Sequence, residues 1–570
     1  MLTIDDIIPD KVTYRPGETA RIRVTVSNDG HMAVGACLTL ALTHFVTTVE
    51  QLTETVRFEP NARTVVQFAF TPPPVPLRGY GLDATLHDEA GQVLAEGSGA
   101  LDVLERWSQA PRYGFLSDFA PGQTGVGERC DSLLRYHLNV VQFYDWMWRH
   151  YKLLPPSEEF TDGMGRRLSL NAVRAAIEGV QARGGAAMAY GAVYGAEPEF
   201  AEEHPELVLY DEAGERVSLA GLFYIMNIAS DSPWVPLIVS EFAEAVRVMG
   251  FDGIHLDQYG FPKTAVTASG EKVELAEHFP LLIDQARAAV VSVRDDAGVI
   301  FNAVENWPIE TVAPTSQDAV YIEVWPPDVS YNDLRRLIRE GRRLSGGKQV
   351  ILAAYLSPFL GTGPDTDTQT LSQAEAAALL ATATIAASGG SHLLLGERDR
   401  VLCDPHYPKY VILRPEFAAT MRAYYDFLVR YEEFLISPEL EDWEHTSSSG
   451  AASFSIRGVP AASSAEVGKV WIIARRKPGV HLVHLINLTD QADVAWNALR
   501  TAPETLHNLD LSVDGLPAVR QVLLLVPDVD TGKPLPLTWR QEAGKLHVSV
   551  PRLTVWAVIA CVLEDGGTQE

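Results

Sequence analysis

Two carboxylates stand out in this chain by the company they keep. Asp257 ends the run Gly250-Phe251-Asp252-Gly253-Ile254-His255-Leu256-Asp257-Gln258-Tyr259-Gly260. There a glycine suited to closing a helix, a turn and a short apolar strand lead up to an acid. Glu323 lies in Val320-Tyr321-Ile322-Glu323-Val324-Trp325-Pro326-Pro327, with an indole and a rigid proline pair just behind it. Glu305, in Asn302-Ala303-Val304-Glu305-Asn306-Trp307, is a third acid of this kind, and Asp118, Asp145 and Glu397 also fall at predicted strand ends. Cleaving a glycosidic bond needs two carboxyl groups, one kept ionised and one kept protonated, and burial beside a negative neighbour favours the protonated state. The indole beside Glu323 suits that task, because it can stack on a sugar face and desolvate the acid. Any one strand-end acid is by itself a loop cap or an ion-pair partner. Two of them with aromatic and amide neighbours make a candidate site.

Acids so far apart in sequence meet only if a fold gathers strand ends on one rim. From Arg112 the chain alternates apolar strands with amphipathic helices. Strands are predicted at 113–116, 138–143, 186–191, 253–256, 299–304, 319–322, 350–355 and 391–395. Helices are predicted at 170–183, 235–249, 281–293, 334–344, 373–387 and 415–433. This pattern predicts a (β/α)8 barrel, which keeps its functional groups at the carboxyl ends of its strands. A doubly wound open sheet is the competing arrangement, and no Gly-rich phosphate fingerprint follows any strand to support it. The segment 207–217 reads as a hairpin inserted after the third strand, on the catalytic face.

Both flanks read as all-β. Arg21-Ile22-Arg23-Val24-Thr25-Val26 alternates polar and apolar residues between Pro16-Gly17 and Asn28-Asp29-Gly30, as in a β-sandwich of immunoglobulin-like type. Lys469-Val470-Trp471-Ile472-Ile473-Ala474 opens a second β-rich region. The division predicted is an immunoglobulin-like sandwich over 1–106, the barrel over 107–438 and a C-terminal β-sandwich over 439–570.

Composition narrows the function classes. The 570 residues are 46% hydrophobic and 21% charged, as in ordinary globular proteins, with a formal net charge of −28 at pH 7. Such acidity argues against nucleic acid as a partner and favours solubility; neutral sugars stay compatible. No apolar run is long enough for a membrane span. No signal peptide is visible after Met1-Leu2-Thr3-Ile4, so a cytoplasmic protein is expected, or a secreted one if a leader has been trimmed. Cys37, Cys130, Cys403 and Cys561 have no metal-type spacing and form no disulfide framework. Asp365-Thr366-Asp367 and Asp528-Val529-Asp530 lack a full calcium ligand set and read as turns.

The predicted rim is rich in polar aromatics. Gln142-Phe143-Tyr144-Asp145-Trp146-Met147-Trp148-Arg149-His150 follows the second strand and Tyr190-Gly191-Ala192-Val193-Tyr194-Gly195 ends the third. Alone, such clusters are core. After several strands of one barrel, with acids and amides between them, they suit carbohydrate. His255, His392 and His406 lack ligand spacing for a metal and read instead as hydrogen-bonding groups for hydroxyls.

Taken together, Phe143-Tyr144-Asp145-Trp146-Met147, Tyr190-Gly191-Ala192-Val193-Tyr194-Gly195, Phe251-Asp252-Gly253-Ile254-His255-Leu256-Asp257, Tyr321-Ile322-Glu323-Val324-Trp325-Pro326 and Gly390-Ser391-His392-Leu393-Leu394-Leu395-Gly396-Glu397 resemble glycoside hydrolase family 66. The resemblance implies an enzyme on α-1,6-glucan, either a dextranase or a cycloisomaltooligosaccharide glucanotransferase, with the three-part architecture already predicted. It implies Asp257 as nucleophile and Glu323 as acid/base of a retaining reaction. Glu305 falls off the family's acid/base motif and is given a supporting place. The family's transferases carry a carbohydrate-binding module late in the barrel, for which 356–371 has no room; this favours hydrolysis. The lack of a visible leader favours imported isomaltooligosaccharides over extracellular polymer.

The expectation is a retaining α-1,6-glucan hydrolase needing no cofactor and no metal. Asp257 and Glu323 are its catalytic residues, and Asp145, Tyr190, Tyr194, His255, Gln258, Asn302, Glu305, Trp325 and His392 its sugar contacts. A transglucosylase with the same residues, a non-catalytic glucan-binding protein, and action on another linkage or sugar are the alternatives.

Overall fold

A computed structural model describes residues 2–443, 453–528 and 532–564. Eight strands form its central sheet: β1 Tyr113–Leu116, β2 Val140–Phe143, β3 Ala186–Ala192, β4 Gly253–Asp257, β5 Gly298–Val304, β6 Ala319–Glu323, β7 Val350–Ala353 and β8 Ser391–His392. All pairings are parallel and follow sequence order from β1 to β8 without reversal. A doubly wound sheet reverses its strand order, so that alternative falls. A parallel bridge between Phe115 and Gly396 joins the two edges, leaving a nearly closed, barrel-like sheet.

A helix follows each strand: α1 Val126–Arg135, α2 Leu170–Gln181, α3 Trp234–Met249, α4 Leu275–Val293, α5 Ile309–Val312, α6 Tyr331–Leu344, α7 Thr368–Ala387 and α8 Pro415–Arg430. Their boundaries follow local chemistry. Gly250 closes α3 with φ of 80°, the left-handed cap that glycine takes without steric cost. Ser330 and Asp333 form a reciprocal capping box at α6. The Asp367 carboxylate accepts the Thr370 amide at 2.9 Å and starts α7, so this aspartate is a helix cap. In the second supposed calcium loop, Asp528 accepts the Tyr424 hydroxyl at 2.5 Å; Val529 and Asp530 lie outside the described residues.

Two apolar layers hold the sheet. Alternate side chains of the strands, among them Val140, Met188, Ile300, Ala319 and Ile351, pack inside the ring, so the interior is filled core and not a channel. The opposite side chains, such as Val141, Ile254, Phe301 and Leu352, pack against the helices.

The N-terminal part is two antiparallel sheets sharing one core, with Ile22, Val24 and Val26 from one and Leu38, Leu40 and Leu42 from the other. The C-terminal part pairs a larger, mainly antiparallel sheet around Val470–Lys477 and Val480–Asn487 with a four-stranded one around Leu506–Asp514 and Lys545–Leu553. A loop of this second unit reaches the barrel: Ala495 bridges Ser330, the Trp496 indole donates to the Asp328 carbonyl at 2.8 Å, and Asn497 accepts both N–H and O–H of Ser357 at 2.9 Å. No described helix is long and apolar enough to cross a membrane.

Candidate active site

The carboxyl ends of the strands surround a cavity of about 520 Å³. Register decides what lines it. Tyr190 pairs with His255 across β3 and β4, and Val304 with Glu323 across β5 and β6. Since side chains alternate along a strand, Tyr190, His255, Asp257, Asn302, Tyr321 and Glu323 all turn toward the cavity, which they line. The loop predicted as a hairpin turns through a Tyr210–Arg216 bridge and continues into Ser218–Leu219 and Phe223–Ile225; Leu219, Leu222 and Phe223 form one wall of the cavity.

Asp257 and Glu323 sit on strands separated only by β5, and one side chain of β5 joins them. The Asn302 amide nitrogen is 2.7 Å from Asp257 Oδ1 and 2.7 Å from Glu323 Oε2. The two acceptor oxygens are therefore no farther apart than twice 2.7 Å. The Tyr190 hydroxyl donates to Asp257 Oδ2 at 2.7 Å, and the Trp325 indole donates to Glu323 Oε1 at 3.0 Å.

Burial pushes both carboxyl groups up, Asp257 to about 6 and Glu323 to about 7. For Asp257 the hydrogen bonds from Tyr190 and Asn302 oppose burial. For Glu323 the charge of Asp257 adds to it. An ionised Asp257 therefore favours the proton on Glu323.

The other predicted contacts divide. Asp145 lines the cavity with its carboxylate 3.4 Å from Arg166; its pKa is raised by burial against the pull of Arg166. Glu305 and Trp325 are on the rim. His255 lies on the floor, its Nδ1 2.8 Å from the Tyr113 hydroxyl, and burial lowers its pKa to about 3, so the ring is neutral. Three expectations need correction. Tyr194 is buried outside the cavity lining, with its hydroxyl bonded to Gln258 and to the Phe261 carbonyl. Gln258 lines the cavity, but its amide donates to the Asn302 and Trp307 carbonyls and its oxygen accepts from Gly260. Both are braces under the rim, with no polar group left for a sugar. His392 is absent from the cavity lining: β8 is only two residues long, and both ring nitrogens are bonded, to Thr382 and to the Ala354 carbonyl.

Of the other strand-end acids, Glu397 is fully buried between Arg129 and Arg400, and Asp118 accepts the Ala120 amide at 3.5 Å; neither lines the cavity. Tyr355 and Tyr407 do line it and were not expected. Tyr407 stacks on Tyr144 with centroids 4.3 Å apart and bonds to Tyr321 at 3.0 Å. Tyr355 ends the predicted seventh strand, a signal open to use; Tyr407 follows no strand and gives none. His406 lies beside them. Among the described residues no group of His, Cys, Asp and Glu is arranged to hold a metal ion.

With this geometry in hand, a sequence profile described as Glycosyl hydrolase family 66 matches residues 9–560. The chain belongs to glycosyl hydrolase family 66. This family 66 chain is 24% identical to a cycloisomaltooligosaccharide glucanotransferase of Niallia circulans over 703 aligned positions, covering 98% of the chain and 71% of the relative. It is 23% identical to a dextranase of Streptococcus salivarius over 566 positions, covering 84% and 67%. The first alignment is longer than this family 66 chain, so that relative has inserted segments absent here. A solved cycloisomaltooligosaccharide glucanotransferase of Paenibacillus sp., complexed with cycloisomaltoheptaose, shares its fold with a TM-score of 0.90 at 22% identity, over 98% of this chain and all of that one. The family makes the chain a glycoside hydrolase.

Proposed function

We propose that the chain is a retaining glycoside hydrolase cleaving α-1,6-glucosidic linkages of dextran or isomaltooligosaccharides, with a (β/α)8 barrel over 107–438 carrying the chemistry and sandwiches over 1–106, of immunoglobulin-like type, and 439–570 framing it. The observation that carries the mechanism is the amide shared by Asp257 and Glu323. It holds the pair near the separation of about 5–5.5 Å that suits a covalent intermediate, leaving no room for the water of an inverting enzyme. The α-1,6 linkage rests on the dextranase and glucanotransferase relatives.

In the first step an oxygen of Asp257 attacks the anomeric carbon while Glu323 gives its proton to the leaving glycosidic oxygen. Both oxygens of Glu323 already accept from fixed donors, Asn302 and Trp325, with Tyr355 as a third, so the proton occupies a remaining lone pair. In the second step Glu323 takes a proton from water, whose oxygen displaces Asp257 from the sugar. Configuration is retained after two displacements. Asp145, Tyr190, His255, Glu305 and Trp325 hold the sugar, together with Tyr355, His406 and Tyr407. No step calls for a cofactor.

A transglucosylase would use the same residues, with a sugar hydroxyl in place of water. The short connection between β7 and α7 favours hydrolysis. Incubation with isomaltooligosaccharides tests both readings. Shorter products released first as the α-anomer are expected; products longer than the substrate mean transfer, and no cleavage overturns the assignment.

A bell-shaped pH profile should accompany that activity. Asp257 must be ionised and Glu323 protonated, so kcat/KM rises through the Asp257 ionisation and falls through that of Glu323. With the pair pushed to about 6 and about 7, the maximum is expected between these values. A plateau from pH 5 to 9 would remove the acid/base role of Glu323.

A further inference from the structure

The amide that joins the two carboxyl groups does more than fill space between them. Asn302 is 3% exposed, and its side-chain oxygen has no hydrogen-bond partner. Rotating the amide by half a turn would exchange its oxygen and nitrogen, and would aim the oxygen at two carboxylates. The two acids therefore dictate the orientation, at the expense of a buried acceptor left unsatisfied. The strand beneath is itself fixed: the Asn302 carbonyl accepts Gln258 Nε2 at 3.2 Å, and Asn302 pairs with Tyr321 in the β5–β6 ladder.

Resting on the reading of Asp257 and Glu323 as nucleophile and acid/base, we propose that Asn302 is the positioning residue of this pair: its one NH2 group spends both hydrogens on the two acids, fixing their separation and tying the ionisation of each to the other. It is not a sugar contact through its nitrogen, as the sequence suggests, because both N–H bonds are taken. Each hydrogen favours the ionised form of the oxygen it meets, and so opposes the effect of burial on both acids. The other titratable groups lining the cavity with the pair are Tyr144, Asp145 and His150 beyond β2, Tyr190 from β3, His255 from β4 and Tyr259 just beyond it, Glu305 just beyond β5, Tyr321 from β6, Tyr355 beyond β7, and His406 and Tyr407 in the loop after β8. Burial drives the phenols of Tyr190, Tyr259, Tyr321, Tyr355 and Tyr407 upward and the imidazole of His255 down to about 3, so these stay neutral where the acids titrate; burial also lowers His406. None of them bonds to both acids.

Asn302→Ala and Asn302→Ser separate this role from a structural one. In a variant that still melts within a few degrees of wild type, kcat is expected to fall about 100-fold, the loss that a small misplacement of reacting groups causes, with KM little changed. Both limbs of the kcat/KM profile should move to higher pH. Serine, which offers one hydrogen in place of two, should move one limb only. A loss carried by KM with unmoved limbs would make Asn302 a substrate contact and overturn the proposal. If neither variant folds, the wild-type enzyme still decides. With ¹⁵N-labelled asparagine and no substrate, the Asn302 side-chain amide resonance should shift in two steps that coincide with the two limbs; a resonance flat across that range would overturn the proposal. That titration needs no turnover. If the enzyme failed to cleave α-1,6-glucan while the resonance shifted twice, the functional reading would fall and the bridge would stand.

Discussion

Asp257→Asn is expected to abolish turnover while leaving the fold intact and, at neutral pH, more stable. The amide keeps the size of the carboxylate but cannot attack the anomeric carbon. A loss of roughly four orders of magnitude in kcat or more is expected when a nucleophile is removed. Intact-mass measurement after exposure to a slowly hydrolysed fluoro-glucosyl donor should show one sugar on the wild-type chain and none on the variant. The stability change has the opposite sign. Burial lifts the Asp257 carboxyl to about 6, above its ordinary value of about 4. Its contribution to folding is then fully present below about pH 4 and is lost as pH rises through 6, because the folded chain must hold a poorly solvated charge. An amide at this position carries no such charge. A gain of about 1–2 kcal/mol at pH 8 is expected, discounted for the partial exposure of Asp257, and should vanish near pH 4. Dextran cleavage by the variant at the wild-type level would make another residue the nucleophile.

Glu323→Gln should show a loss that depends on the leaving group. General acid catalysis is worth about 10²–10⁴-fold, and all of it should disappear for isomaltooligosaccharides, whose departing alkoxide needs a proton. A fluoride or dinitrophenolate leaves without one, so glycosylation from such donors should be nearly normal and deglycosylation should limit the rate. Azide needs no base, and should restore turnover by forming a glycosyl azide of retained configuration. The alkaline limb of the pH profile should vanish with the carboxyl group. A uniform loss for every leaving group, with no azide product, would point to a structural role for Glu323 and return attention to Glu305. That acid has φ of 57° and sits exposed on the rim.

Much of this arrangement was legible in the sequence because burial on both faces leaves a simple trace. Strands of a parallel sheet read as short apolar runs, and all eight were found within a few residues. Helix α1 was not found. Its inward face includes Arg129, which is buried against Glu397, so the apolar period is broken by a charge whose partner is remote in sequence. The site shows the same division. Asp257 and Glu323 stand out in the sequence by strand position and neighbours, and the structure brings them to one cavity. Gln258 and Tyr194 were chosen for chemistry that they spend on the protein, and residue type cannot distinguish a brace from a contact. His392 was placed at a strand end, whereas β8 stops two residues after it starts and the chain continues through Leu393–Leu395 toward the bridge at Gly396. Asn302 was selected for the right reason, an amide beside acids, but only the coordinates show that both its hydrogens are engaged.

The loop of the C-terminal sandwich that reaches the barrel changes what counts as the smallest working piece of this molecule. Ala495, Trp496 and Asn497 grip Ser330, Asp328 and Ser357, which lie just beyond the segments that carry Trp325 and Tyr355. Those segments form the side of the cavity beside Glu323. Cutting the chain after α8 would therefore release a wall of the cavity along with an accessory unit. Replacing the C-terminal β-rich part by a foreign one should succeed only where that one loop is carried across with it.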